Sequence, residues 1–200
     1  MVEIRTATTN DAKSILNIYS PSILNTAISF ETEIPSVEEM QSRIKKCLEK
    51  FPWIVCVIDG KIAGYVYASK HRDRDAYQWT CECSVYIHND FKGKRIGKNL
   101  YDCLFGILKL QGLRNVYAGI TLPNDASVKL HERCGFEHFV TYKNVGYKFY
   151  SWHDVGWWKL QLNDYDLQPP PPLPFSEMNL QILQTIYKKV AEYIQSGISG

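Results

Sequence analysis

The stretch from Trp79 to Gly112 constrains the fold of this chain more than any other. From Trp79 to His88, Trp79, Cys81, Cys83, Val85 and Ile87 alternate with Thr80, Glu82, Ser84, Tyr86 and His88. Strand side chains point to opposite faces in turn. The pattern therefore predicts a strand with one core face and one polar face, the latter bearing a single carboxylate, Glu82. A basic loop with two glycines follows, Lys92-Gly93-Lys94-Arg95-Ile96-Gly97-Lys98. A long amphipathic helix then runs from about Ile96 to Gln111, with Ile96, Leu100, Cys103, Leu104, Ile107 and Leu108 as its stripe. Gly112 stops it. A strand that feeds a helix through a glycine loop calls for an α/β sheet covered by helices.

The rest of the chain supplies partners for this unit. Val2 to Thr8 reads as a first strand. Asn10 is expected to cap a helix carrying Ile15, Leu16, Ile18 and Tyr19, which Ser20-Pro21 interrupts before a second short helix. Ser36-Val37-Glu38-Glu39 is a capping box opening a helix to about Lys50. Trp53 to Ile58 and Lys61 to Ser69 read as strands joined by Asp59-Gly60, a two-residue hairpin signal. Asn115 to Thr121 is another strand. Asn124 or Asp125 caps a short helix that Gly135 ends. Phe136 to Trp158 holds nine aromatic residues and suits two long final strands. The whole predicts a mixed, mainly antiparallel sheet with helices on both faces.

After Leu162 the composition changes. Pro169 to Pro172 and Pro174 form a stiff segment. Ser176 is expected to cap an amphipathic helix bearing Ile182, Leu183, Ile186, Val190 and Ile194. Residues 1–162 thus read as the domain and 163–200 as a proline-rich linker plus helix that docks on the domain or on a partner.

Charge and cysteine content remove several classes of function. Among 200 residues, 23 Lys and Arg against 21 Asp and Glu leave a net charge of +2. A protein gripping long nucleic acid carries a larger basic surplus. The longest strongly apolar run, Trp53 to Ile58, is far short of the roughly 20 residues that span a bilayer. The first residues lack the apolar stretch of a signal peptide, so a cytoplasmic protein is expected. The 6 cysteines have no paired C-x-x-C spacing, and His131-Glu132 lacks the second His of a zinc helix. No metal site is expected.

Two segments carry chemistry. In the loop 92–98, backbone N–H groups at a helix start and basic side chains suit a phosphate. The spacing fits neither a Walker loop, which needs four residues between its glycines, nor a dinucleotide fingerprint. A solvated basic loop remains the bland alternative. The second segment is N-x-x-S-x-x-L-H-E-x-x-G-F over Asn124 to Phe136, where a lone His131 on a helix reads locally as a hydrogen-bonded core residue.

Together with Ile28-Ser29-Phe30-Glu31, Arg72-Asp73-Arg74-Asp75-Ala76-Tyr77, Thr80 to Ile87, and Trp152-His153-Asp154-Val155-Gly156, these segments resemble the GNAT superfamily of acetyl-CoA-dependent N-acetyltransferases. The chain is similar to its phosphinothricin and methionine sulfoximine acetyltransferase branch, over about 1–162. The loop looks like the family's Q/R-x-x-G-x-G/A motif, with Lys92 at the leading position and Arg95 where a glycine is usual. The resemblance implies the GNAT fold and acetyl-CoA as cofactor. It implies pyrophosphate contacts from Lys92, Gly93, Lys94, Arg95, Ile96, Gly97 and Lys98, and contacts to the pantetheine arm from Val85, Tyr86 and Ile87. Asn124 and Ser127 complete the implied cofactor set.

The same resemblance gives roles for catalysis. An amine is mostly protonated near pH 7, so attack on a thioester needs a base. The implied base is Glu82, acting for direct attack; a backbone N–H of its strand would stabilise the oxyanion. His131 is the implied acid or assisting base. Arg72, Arg74 and Tyr77 are implied near a substrate carboxylate, Arg74 and Tyr77 ahead of Arg72, with Phe30 and Glu31 lining the pocket. The expected partner is a small amino-acid-like amine; a homodimer is implied by the branch. Alternatives are a polyamine, aminoglycoside or protein N-terminus as substrate, or a decayed acetyl-CoA-fold binding module.

Overall fold

The computed structural model describes residues 1–198; the last two positions of the expected tail lie outside the described residues. Seven strands form one sheet: β1 (Val2–Thr6), β2 (Trp53–Ile58), β3 (Lys61–Lys70), β4 (Thr80–Ile87), β5 (Asn115–Leu122), β6 (Glu137–Lys148) and β7 (Ser151–Gln161). Their order is β1-β2-β3-β4-β5-β7-β6. All pairs are antiparallel except β4 with β5. That parallel pair is short, joining Thr80–Glu82 to Asn115–Tyr117. Beyond Glu82 the two strands part.

One face of the sheet packs on α1 (Ala12–Leu24) and α2 (Val37–Lys50). Ile15, Ile18, Met40 and Ile44 meet Trp53, Val55 and Tyr65 there. The opposite face packs on α3 (Ile96–Leu110), α4 (Asp125–Arg133) and α5 (Leu180–Ile198). The apolar side of β4 faces α3, and Cys81 and Cys83 are buried. The expected α3 stripe, Ile96 to Leu108, is buried throughout. Ser36 caps α2 as expected, its Oγ accepting from the Glu39 N–H, while the Glu39 carboxylate pairs with Arg43 rather than closing a capping box.

Several local expectations need correction. Pro21 does not interrupt α1, which continues to Leu24, and residues 25–36 form no second helix. A proline removes one donor, and here it lies near the helix end. The Ser20 hydroxyl donates to Leu16 O, Asn25 N–H to Pro21 O, and Ile23 is buried, so the last turn is held. Asp11 rather than Asn10 organises the helix entry. Its carboxylate accepts from the Thr8 N–H and pairs with Arg5 at 2.7 Å. In the tail, Asn179 rather than Ser176 caps the helix, accepting from Gln181 and Ile182 N–H groups; the Ser176 hydroxyl donates to Glu49 O.

The tail docks on the domain. Leu183, Tyr187, Val190 and Ile194 are buried against β1 and α3 in the main core, while Ile182 of the expected stripe is 46% exposed. Among the described residues no helix is long and apolar enough to cross a membrane.

Candidate active site

Glu82 stands where the sheet forks. It is the last β4 residue paired to β5, abreast of Tyr117. The His88 N–H donates to Ala63 O on β3. Antiparallel alternation therefore turns the N–H and C=O groups of Val85 and Ile87 away from β3, toward the edge that β5 has left. Tyr86, between them, points to the α1 face and meets the Tyr19 ring at 5.1 Å.

Beyond the strand, the chain turns sharply into α3. Gly93 has φ +80 and Arg95 φ +57. The first helical hydrogen bond runs from Asn99 N–H to Arg95 O. The N–H groups of Gly93 through Lys98 thus have no backbone acceptor among the described residues. Exposed Lys92, Lys94, Arg95 and Lys98 surround them. Lys94 lies over the Phe91 ring, and Lys98 pairs with Asp102 at 2.5 Å. Gly97 sits where α3 crosses α4: a Cβ there would meet Leu130 at 3.2 Å. Asn124 caps α4, its Oδ1 accepting from the Ser127 N–H.

On the α1 face, β3 brings a residue that the sequence pattern did not mark. Ser69 is the cross-strand partner of Glu82, so His71, two residues on, lies diagonally opposite on the same face. His71 Nδ1 is 2.8 Å from Glu82 Oε1. The imidazole stacks on Tyr117 at 5.0 Å and meets the edges of Tyr77 and Trp157 at 6.0 and 6.4 Å. Arg72 places a guanidinium nitrogen 3.8 Å from Glu82. Arg74 stands exposed with no ion pair among the described residues.

Phe30 and Glu31 lie on the irregular segment after α1. Lys148 of β6 fixes that segment by donating to Ile23 O, Ser29 O and Glu31 O at 2.7, 2.6 and 2.8 Å. Burial pushes the Lys148 ammonium below its usual pKa. The Phe30 ring covers Gly146, and the Glu31 carboxylate pairs with Arg43 at 2.6 Å. A cleft of about 550 Å³ opens between α2 and the sheet, lined by Glu31, Arg43, Trp53, Tyr67 and Ser69 among others. Its lining reaches Ser69, the cross-strand partner of Glu82.

His131 lies elsewhere. It is 4% exposed, with Nε2 2.8 Å from the Tyr101 hydroxyl and Nδ1 2.8 Å from Ser127 O.

The acetyltransferase (GNAT) domain family matches residues 4–157. The chain belongs to the GNAT acetyltransferase family. It is 37% identical to a phosphinothricin N-acetyltransferase of Streptomyces viridochromogenes over 173 residues, 86% of this chain and 92% of that protein. It is 30% identical to an L-methionine sulfoximine/L-methionine sulfone acetyltransferase of Salmonella typhimurium, over 81% of this chain and 95% of the other. A crystal structure of a GNAT phosphinothricin acetyltransferase from Sinorhizobium meliloti in complex with AcCoA superposes with TM-score 0.80 at 31% identity, covering 87% and 98% of the chains.

Within this GNAT domain, the fold brings Glu82, Arg72 and Tyr77 together around His71. Of the expected cofactor set, Val85, Tyr86 and Ile87 lie on β4 beyond the fork, residues 92–98 at the start of α3, and Asn124 and Ser127 at the start of α4. Phe30 and Glu31 form a separate rim, and His131 sits in the core behind α3. His71, Tyr117 and Trp157 were missing from the sequence-derived site. The only available signal for His71 was its position two residues beyond the partner of Glu82, which needs the strand register to be seen.

Proposed function

We propose that this chain transfers an acetyl group from acetyl-CoA to the primary amine of a small amino-acid-like substrate, of phosphinothricin or methionine sulfoximine type. One observation carries the reading: Glu82 occupies the fork between β4 and β5, with the donor-rich start of α3 at the open end. The relatives' names supply the substrate class.

The chain's groups fit the cofactor. The N–H groups of Gly93 through Lys98, with Lys92, Lys94, Arg95 and Lys98, suit a pyrophosphate. Ile96 and Gly97 bring this helix end close to α4, where Asn124 and Ser127 border the fork. The outward-turned backbone of Val85 and Ile87, with Tyr86 between, suits an amide-bearing arm. Bound there, acetyl-CoA would supply an activated carbonyl carbon; the neutral amine would form the C–N bond as the C–S bond breaks, and the proton shed by the nitrogen would neutralise the departing thiolate.

Glu82 supplies the negative charge on which the base step depends as a proton leaves the substrate ammonium. Arg72 and Arg74 pair with the substrate carboxylate, and a planar guanidinium can hold it with two hydrogen bonds. Tyr77, Phe30 and Glu31 shape the rest of the pocket. His131 is assigned a positioning role, because both ring nitrogens are engaged in the core; it holds Tyr101 and the first turns of α4.

The β6–β7 hairpin exposes Phe139, Tyr142, Tyr147, Phe149, Tyr150 and Trp152 at the sheet edge. An apolar patch of this kind supports a homodimer built through that edge. The 6 free cysteines fit a reducing compartment, and the cytoplasm is the proposed location.

The test mixes the protein with acetyl-CoA and a panel of amines and follows thiol release. Turnover is expected with phosphinothricin or methionine sulfoximine. Acetyl-CoA binding without turnover of any amino-acid-like amine would overturn the substrate reading. Preference for polyamines or aminoglycosides would redirect it.

A further inference from the structure

We propose that His71 is the catalytic residue that receives the amine proton, at Nε2, with Glu82 as the carboxylate that orients and charges it. The inference deepens the proposed acetyl transfer and rests on it.

At 2.8 Å, one proton must lie between His71 Nδ1 and Glu82 Oε1. It resides on nitrogen, as Nδ1–H donating to the carboxylate. That bond fixes the tautomer and leaves the Nε2 lone pair available. Nε2 has no hydrogen-bond partner among the described residues. The ring itself is held. Its side chain is 16% exposed, stacked on Tyr117 and bordered by Tyr77 and Trp157.

The Glu82 carboxylate is engaged on two sides. Glu82 already accepts from His71 and has the Arg72 guanidinium 3.8 Å away. The imidazole gains from the same arrangement, because the imidazolium formed beside Glu82 is paired with a negative charge. The face of Tyr117 adds a favourable surface for that cation. The charged and titratable groups facing His71 are Glu82 from β4, Tyr117 from β5, and Arg72 and Tyr77 from its own loop; Trp157 of β7 carries no charge. The proton passes from the substrate ammonium to Nε2, leaving a neutral amine and an imidazolium. Solvent then takes the proton and restores the imidazole.

Two variants and one spectrum test this. His71→Asn keeps an N–H donor near the Nδ1 position and removes Nε2; His71→Phe keeps the ring packing and removes both nitrogens. Both are expected to lower kcat by ~10²–10⁴-fold, with acetyl-CoA affinity unchanged. Both should also abolish the acid limb that the imidazole gives to the pH profile of kcat. A His71→Asn enzyme with wild-type kcat and pH profile would overturn the proposal and leave Glu82 as the acceptor. If the wild-type enzyme turns over no amine, the proposed function fails, and the pair is still decided by ¹⁵N histidine NMR on the full chain. The expected spectrum has His71 as the Nδ1–H tautomer in the wild type, with that preference lost in Glu82→Gln. The Nε2–H tautomer in the wild type, or a tautomer preference unchanged in Glu82→Gln, would overturn it.

Discussion

The Tyr101 hydroxyl lies 2.8 Å from Nε2 of His131, inside a core where Tyr101 is fully buried. Nδ1 of the same ring donates to Ser127 O at 2.8 Å, so the neutral imidazole satisfies both nitrogens. Burial holds the His131 pKa below its ordinary 6.5. An unfolded chain therefore takes up this proton before the folded one does. The contribution is full above about pH 6.5 and falls as pH drops from there toward the folded value. In chemical denaturation, the stability gap between wild type and His131→Gln should narrow between pH 7.5 and 5.5. A gap that stays constant would show that His131 does not titrate this way.

Lys148 and Gly146 fix the segment that carries Phe30 and Glu31. Lys148→Met leaves two buried carbonyls and one half-buried carbonyl without their donor and should cost ~2–3 kcal/mol of stability. At Gly146, a Cβ would lie 2.2 Å from the Phe30 ring. Gly146→Ala should therefore displace that ring and raise KM for the amine several-fold, with a smaller change in kcat. An unchanged KM would remove Phe30 from the substrate pocket.

Arg95 occupies a left-handed backbone position at the start of α3, with φ +57 and ψ 11. A side chain there carries a cost that glycine avoids. Arg95→Gly should stabilise the protein by about 1 kcal/mol in thermal unfolding. It is exposed at the helix start, where the N–H groups lack backbone acceptors, so Arg95→Ala should weaken acetyl-CoA binding several-fold and flatten its salt dependence in calorimetry. Equal affinity in Arg95→Ala would make the residue a bystander.

The tail behaves as part of the core. Ile194 is 1% exposed, and Ile194→Ala should cost ~2–5 kcal/mol in denaturant titration. The Tyr187 hydroxyl meets Thr6 Oγ1 at 2.9 Å, so Tyr187→Phe should cost about 1 kcal/mol. Wild-type stability in Ile194→Ala would mean that α5 is only loosely applied.

Local rules made much of this fold legible. The period-two pattern of Trp79 to His88 placed Glu82 on the polar face of β4, and Asp59-Gly60 gave the β2–β3 turn. Asn124 and Ser36 capped the helices they were expected to cap. These features depend on neighbours in sequence. The errors lie where distant groups decide. Burial of Ile23 carries α1 through Pro21, and Asn179 starts α5 where Ser176 instead reaches Glu49. His71 escaped notice because its partner Glu82 is brought to it by register, which no local pattern reveals. Likewise, only packing of α3 on α4 shows that Tyr101 engages His131.

The most direct test of the account is single-turnover acetyl transfer to phosphinothricin or methionine sulfoximine by the wild type and Glu82→Gln, with acetyl-CoA affinity measured in parallel. Transfer by the wild type and a loss of ~10²–10⁴-fold in Glu82→Gln at unchanged affinity are expected. Equal rates in the two proteins, or no transfer by a wild type that binds acetyl-CoA, would contradict it.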